Sequence, residues 1–265
     1  MSIHFNIVIP TYNRPELVIR SVKSILTQEY KNCKVYIFND GSDKDYSQLE
    51  SIIKPYNYIH YIKLKKNIGI NKIRNIFFKK ISNEQESYFF TLSDDDFLVE
   101  GSLSKMSDII IKQKSQNWYC FNVISKSKEI EKNSDYKETF FIKYENFQKD
   151  YLGDKHFVIA RKAVNNIKYP IFFKNGYEHV FYKKIAKKHS ILVYPLSVKV
   201  IEYMSDGLTM SDLYSNTNYF KNIIKSFKHV CEDCNDFSYW VYFFKSFLKI
   251  KCLLNTLGLK RFIFW

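Results

Sequence analysis

Tyr88-Phe89-Phe90-Thr91-Leu92-Ser93-Asp94-Asp95-Asp96 is the stretch that decides the fold and points to the chemistry. A short apolar and aromatic run reads as a buried strand, and this one discharges three carboxylates at its C-terminal end. Like charges a few Å apart raise one another's pKa unless something positive shares the site. A divalent cation answers that need, because hard cations take carboxylate oxygens. The alternative is an acidic turn that caps a helix starting near Ser102. The whole chain sharpens the contrast. With 41 Lys and Arg against 27 Asp and Glu it is formally +14, yet here it gathers negative charge.

Upstream of the triplet, short apolar runs alternate with helical periodicities. Phe5-Asn6-Ile7-Val8-Ile9 reads as a strand ended by Pro10. Val18, Val22, Ile25 and Leu26 recur at helical spacing between Glu16 and Gln28. Lys34-Val35-Tyr36-Ile37-Phe38 is a second strand, Tyr46 to Lys54 a polar helix, and Tyr58 to Leu64 a third strand. Gly69 to Lys80 reads as a basic helix with Ile73, Ile76 and Phe77 on its inner face. This alternation predicts an α/β fold, a mostly parallel sheet with helices on both faces. In such sheets ligands gather beyond the carboxyl ends of the strands. Three polar clusters fall there: Pro10-Thr11-Tyr12-Asn13-Arg14, Asn39-Asp40-Gly41-Ser42 and Asp94-Asp95-Asp96. Loops between strands and helices are polar in any such protein. A carboxylate-rich rim is more specific, and it suits a metal-bound nucleotide.

These clusters, with Asn67-Ile68-Gly69 and Arg74-Asn75 between them, carry a family resemblance. In order and spacing, over residues 3 to 205, they resemble family 2 glycosyltransferases of the Rossmann-like GT-A fold. The resemblance implies a nucleotide-sugar donor (a UDP-sugar), a divalent cofactor (Mn2+ or Mg2+) and inversion at the anomeric carbon. Position by position, it places Pro10, Thr11, Tyr12, Asn13 and Arg14 at the nucleotide, with Thr11 and Tyr12 lining the base and ribose pocket. Asp40 matches the acid that hydrogen-bonds the uracil edge, while Asn39 stands where the family has another acid. Asn67, Gly69 and Arg74 match the stretch that faces the nucleotide. Asp94 and Asp96 correspond to the metal-binding D-x-D motif, and Asp95 between them reaches the ribose or donor sugar. A carboxylate accepts the imide N–H of uracil, and such a polar site rejects bases that lack that donor. A cation beside the diphosphate offsets the charge that grows as the glycosidic bond breaks.

Inversion also needs a general base to take the proton of the acceptor hydroxyl. The family places it at the start of a helix in the second half. Here that stretch is Gly176-Tyr177-Glu178-His179-Val180-Phe181. The apolar pattern that follows puts Glu178 on the base position, with Tyr177 on the preceding acid. His179 is the rival, with an ordinary pKa better suited to neutral pH, but helical spacing turns it about 100° away from Glu178. An N-terminal helix acid favoured by the macrodipole is the plainer reading of Glu178. His156, heading the strand Phe157-Val158-Ile159-Ala160, reads as a core or surface histidine or as a residue lining the acceptor side.

The chain has 265 residues, which suits one generous domain or a domain with an appendage. Residues 1–210 read as the catalytic domain, with a nucleotide-binding half (1–100) and an acceptor half (101–210), and 211–265 as a helical extension. Residues 237–265 contain no acid and mix Lys245, Lys249, Lys251, Lys260 and Arg261 with Trp240, Phe243, Phe244, Phe247, Phe262 and Trp265. That composition describes an interfacial helix on an anionic leaflet or a helical subdomain packed on protein. It suits a glycan or lipid-linked acceptor at the inner face of the cell membrane, in capsule or lipopolysaccharide synthesis.

The N-terminus carries no secretory pattern, and no run of about 18 apolar residues reads as a spanning helix. A cytoplasmic, peripherally bound protein is expected. The five cysteines, Cys33, Cys120, Cys231, Cys234 and Cys252, read as free thiols. Cys231 and Cys234 have C-x-x-C spacing with His229 nearby, but no fourth zinc ligand is evident. Two competing classes are a nucleotidyltransferase and a non-enzymatic basic nucleic-acid binder. The first usually carries a Gly-rich loop after strand one, absent from Pro10-Thr11-Tyr12-Asn13-Arg14-Pro15. The second lacks any recognition motif and would place aspartates against phosphate, so no nucleic acid is expected.

Overall fold

The first strand pairs in register with the next in line along its whole length, and this pairing builds the site edge. In the computed structural model, which describes residues 2–126, 135–150, 153–171, 174–202 and 204, β1 (Phe5–Thr11) lies between β2 (Cys33–Asn39) and β4 (Tyr88–Thr91). Both neighbours are parallel to it, as is β3 (Ile59–Lys63) to β2. Thr11 sits opposite Asn39, so the polar turns that follow both strands emerge together. β4 ends three residues earlier in that register, and the aspartate turn leaves from beside Val8.

The helices between these strands start and stop for local reasons. α1 (Pro15–Leu26) has Pro at its first position, where the missing N–H is no loss. It buries Val18, Val22 and Ile25. α2 is Ser47–Ile53, and α3 (Ile70–Lys80) follows Gly69, whose φ of +85° only glycine holds without strain. Phe77 of α3 packs edge-on against Tyr36 of β2 and Phe89 of β4. It is fully buried, and truncating such a residue costs about 3–5 kcal/mol.

The second half departs from the predicted mostly parallel sheet. β5 (Phe97–Leu98) and α4 (Ser102–Lys112) follow the aspartates, and then come β6 (Trp118–Ser125), β7 (Phe140–Ile142), α5 (Tyr144–Lys149), β8 (His156–Ala160), α6 (Arg161–Val164), α7 (Glu178–Ala186) and β9 (Ile191–Ile201). The sheet order is β3-β2-β1-β4-β8-β6-β9-β5, with β7 on β9. β8 runs antiparallel between β4 and β6, and β5 and β7 run antiparallel to β9. Among the described residues there, β6 and β9 alone pair in parallel, across register shifts at Asn122. The result is a mixed α/β sheet: all parallel over β1 to β4, mixed where β5 to β9 join it. Trp118, Tyr119 and Phe121 of β6 are fully buried at its centre.

The described residues belong to one compact unit, Met1–Met204. The expected boundary at 210, the helical extension, the membrane contact of 237–265 and the Cys231/Cys234 spacing lie outside the described residues. Cys33 and Cys120 are buried free thiols. Among the described residues no helix is long and apolar enough to cross a membrane.

Candidate functional site

The turn after β1 and the turn after β2 are fastened to each other through one phenol. The hydroxyl of Tyr46 meets Thr11 Oγ1 at 3.0 Å and Ser42 Oγ at 3.3 Å, and accepts the Arg14 N–H at 3.1 Å. Asn13 is left-handed (φ +57°). Its N–H donates to Ser42 Oγ at 2.9 Å, and its Oδ1 accepts the Asp43 N–H at 3.0 Å. β1 runs one residue past Pro10, where the sequence reading ended it; Thr11 closes the strand and is buried, and Tyr12 stands out with 43% of its surface exposed, available for a planar ligand. Asn39 earns its place as an amide. Its Nδ2 donates to Tyr61 Oη at 2.7 Å while Oδ1 accepts the Ser42 N–H at 2.9 Å, a pairing a carboxylate cannot make from both ends.

Asp40 is buried, and both its oxygens accept backbone N–H groups, Oδ1 from Ile68 at 2.8 Å and Oδ2 from Gly69 at 2.9 Å. It therefore clasps the loop containing Asn67, and any bond to a nucleobase would use its remaining lone pairs. Gly69 is required here: a Cβ would lie 2.7 Å from the Lys174 Cα.

The three aspartates diverge. Arg14 Nη1 bridges Asp94 Oδ1 at 3.5 Å and Asp95 Oδ2 at 3.1 Å. Thr11 also hydrogen-bonds Asp94. Asp96 turns the other way, and its Oδ2 takes the Lys199 ammonium at 2.6 Å. The Asp95 carbonyl accepts from Arg20, which also pairs with Glu202. Burial, and next the Asp95 charge, push the Asp94 carboxyl up to about 6 against the opposing pull of Thr11 and Arg14. Burial and the Asp96 charge raise Asp95 as well. Among the described residues no three His, Cys, Asp or Glu side chains are arranged to hold one metal ion together.

A second charge cluster sits where α3 meets the start of α7. Arg74 Nη1 donates to Glu178 Oε1 at 2.9 Å, and its guanidinium lies 4.8 Å from the centre of the Tyr169 ring, a favourable cation–π contact. Asn71 donates to the Gly176 carbonyl, and Asn75 exchanges two bonds with the Tyr169 backbone. These bonds dock α3 on the segment that launches α7. Tyr177, just ahead of Glu178, is left-handed with φ +61°, a strained conformation for a bulky residue. Arg74 thus reaches the residue expected to be the base.

Burial works to raise Glu178, but Arg74 overcomes it and holds the carboxyl below the ordinary range. A third of the Glu178 side chain remains exposed. His179 is pushed down to about 4 by burial and by Lys183, so its ordinary affinity for a proton is lost. His156 is a core residue, fully buried and edge-on to Phe90 at 4.7 Å.

Four contributors escaped the sequence reading: Tyr46, Arg20, Tyr169 and Lys199. Only Lys199 carries a local signal, a lone cation inside the apolar run Val198-Lys199-Val200-Ile201.

Comparison with known proteins agrees with this edge. The sequence model of glycosyl transferase family 2 matches residues 6–188, well over half of the chain. A putative colanic acid biosynthesis glycosyl transferase, WcaA of Escherichia coli K12, is 35% identical over 101 residues, 37% of this chain and 35% of that protein. A GalNAc(5)-diNAcBac-PP-undecaprenol beta-1,3-glucosyltransferase of Campylobacter jejuni is 31% identical over 104 residues, 38% of this chain and 32% of that protein. The chain therefore spans well under two thirds of these relatives. In structure it is similar to S. aureus TarS 1-349 in complex with UDP-GlcNAc, with a TM-score of 0.69 at 17% identity over 88% of this chain and 68% of that one. That likeness shows the GT-A-type fold. The family model, matching across both halves of the described unit, shows more: the chain belongs to glycosyl transferase family 2.

Proposed function

We propose that this glycosyltransferase inverts the anomeric centre as it moves a sugar from a UDP-sugar to a glycan or lipid-linked glycan in surface polysaccharide synthesis. The observation that carries the reading is the pairing of two charge clusters on one sheet edge. One, Arg14 with Asp94 and Asp95, is suited to a charged donor. The other, Arg74 with Glu178, offers an ionised carboxylate that is part exposed. The colanic acid and undecaprenol-linked relatives support the acceptor class, and the UDP-GlcNAc complex of TarS supports the donor class.

In this reading the acceptor oxygen attacks the anomeric carbon on the face opposite the diphosphate. The carbon–oxygen bond to the diphosphate breaks, and its electron pair leaves with the diphosphate. Glu178 takes the hydroxyl proton. Arg14 is the protein cation nearest the aspartates that would meet the donor. Tyr12, exposed beside it, would cover the base. Asp40 keeps the Ile68–Gly69 loop in place and presents its free lone pairs to the uracil imide.

The donor set at Asp94 and Asp95 is all oxygen, which fits Mn2+ or Mg2+ rather than a softer ion. These two would hold the cation, which when bound supplies charge to the leaving diphosphate. With no third ligand converging there among the described residues, donor oxygens and water would complete its shell. Membrane contact through 237–265, and a site of action on the inner face of the cell membrane, belong to this proposal as well. The test is transfer from a panel of UDP-sugars with Mn2+. Turnover is expected with at least one, and undiminished turnover in Asp95→Ala together with Glu178→Gln would overturn the site assignment.

A further inference from the structure

The aspartate turn is short, three like charges long, and fixed from behind. A tight ion pair holds it, Lys199 Nζ to Asp96 Oδ2 at 2.6 Å, between side chains only 11% and 8% exposed. Lys199 belongs to β9, where it lies opposite Leu98 of β5 and Val123 of β6. The register of β6 on β9 slips immediately before this point, between Asn122 and Val123, and such irregularities re-aim a side chain. The backbone reinforces the same join. The Val99 N–H donates to the Val198 carbonyl at 3.0 Å, and Ser102 Oγ donates to it at 2.8 Å. Asp96 N–H closes the turn on the Ser93 carbonyl at 3.2 Å. A buried ammonium without its carboxylate, or the reverse, is costly, so each of the two is tolerable only because of the other.

We propose that Asp96 and Lys199 form a positioning pair: the ion pair pins the turn to β9 so that Asp94 and Asp95 face Arg14, and Asp96 is not a metal ligand. This replaces the sequence expectation of Asp94 with Asp96 as the metal pair. It rests on the proposed Mn2+-dependent binding of UDP, and it concerns only which carboxylates take part.

The experiment uses the full chain and calorimetric titration of UDP, with Mn2+ and with EDTA, beside thermal unfolding of each variant. Asp96→Asn and Lys199→Met each strand one buried partner. Each is expected to weaken Mn2+-dependent UDP binding by about 10- to 100-fold, the range seen when groups that orient metal ligands are lost. Lys199→Met is the informative single, because it leaves all three carboxylates in place. Asp96→Leu with Lys199→Met replaces the pair by apolar side chains, which buried pairs tolerate far better than the loss of one member. The double variant is expected to melt above both singles and to recover most of the lost affinity.

A double variant that melts well but binds no better than Asp96→Asn would make Asp96 a ligand and overturn the proposal. So would Lys199→Met binding Mn2+ and UDP more tightly than the wild type, by freeing a ligand oxygen. If the wild type itself shows no Mn2+-dependent binding of UDP, the metal reading fails. The melting order then decides the pair alone: a double variant no more stable than the singles ends it.

Discussion

Replacing Glu178 by Gln separates the base from the scaffold around it. Glu178 Oε1 accepts from Arg74 Nη1 at 2.9 Å. A Gln amide oxygen can accept the same bond, so the start of α7 and the Arg74–Tyr169 stack persist while proton acceptance is lost. General-base catalysis contributes about 10²–10⁴-fold, which is about 2.7–5.4 kcal/mol of transition-state stabilisation. Exchanging a charged acceptor for a neutral one roughly halves the bond. That costs about 1 kcal/mol, or about 2–4 °C in melting temperature for a unit of this size. The assay is kcat and KM for transfer across pH, beside the dissociation constant for UDP. kcat/KM is expected to fall by about 10²–10⁴ with UDP affinity little changed, and the acid limb of the pH profile should disappear.

Arg74→Met checks the sign. Burial raises Glu178 and Arg74 is the main influence that lowers it, with lesser help from a backbone hydrogen bond and His179, so loss of Arg74 moves the carboxyl upward. A base is inactivated as pH falls through its pKa, so the acid limb must move to higher pH. The reasoning is refuted if Glu178→Gln keeps kcat/KM within about threefold of wild type while His179→Gln loses about 100-fold.

Tyr46→Phe removes the hydroxyl that joins Thr11, Ser42 and the Arg14 N–H. A loss of about 1–3 kcal/mol in denaturant unfolding and a raised KM for donor are expected, and an unchanged KM would show that the two turns hold without it. Gly69→Ala forces φ +85° and a close approach to Lys174 on a side chain. It should cost about 1–3 kcal/mol, read as a lower melting temperature, and weaken UDP binding by loosening the loop clasped by Asp40. For Asp94, burial and Asp95 raise the folded carboxyl from 3.8 to about 6. Below pH 4 both states are protonated. Between pH 4 and 6 the unfolded chain has released its proton and the folded one has not, so stability falls as pH rises, by about 3 kcal/mol in all. In EDTA, Asp94→Asn should therefore lose less stability than wild type between pH 4 and 7, and an identical loss would contradict the burial argument.

What could be read from the sequence was what local pattern controls. Apolar runs ended by Pro10, Asn39 and Ser93 gave strands whose carboxyl ends share an edge, because parallel neighbours joined by helices leave no other arrangement. Glu178 at a helix start was legible through the family resemblance, which the apolar pattern after it located on this chain. The order β4-β8-β6-β9-β5 was not, because antiparallel insertion of β8 depends on pairings between residues 35 to 72 positions apart. Side-chain partners were the least legible. Nothing near Asp96 names Lys199, 103 residues away. Nothing near Arg74 says that it reaches Glu178 rather than solvent. A lone lysine among Val198, Val200 and Ile201 does announce a buried partner, since an unpaired ammonium there would not be tolerated, but it leaves the partner's identity open.

The charge balance of the aspartate turn bears on how a donor could enter it. Among the described residues, four carboxylates of the contact network, Asp94, Asp95, Asp96 and Glu202, meet three cations, Arg14, Arg20 and Lys199. The formal +14 of the chain therefore does not make this network positive; among the described residues it is one negative charge in excess. Arg14 is the cation shared between two acids, while Lys199 and Arg20 are committed to the turn and to β9's end. A nucleoside diphosphate adds two to three further negative charges at neutral pH. Placing them beside Asp94 and Asp95 in a partly buried site is strongly unfavourable unless positive charge arrives with them. Arg14 alone cannot serve both the acids and the diphosphate. The electrostatics thus favour a donor that binds as its divalent complex, and they predict the order of events: UDP affinity should rise steeply with Mn2+, whereas Mn2+ alone should bind the free protein weakly. Equal UDP affinity with Mn2+ and with EDTA would mean that Arg14 leaves the aspartates on its own, and the balance argued here would be wrong.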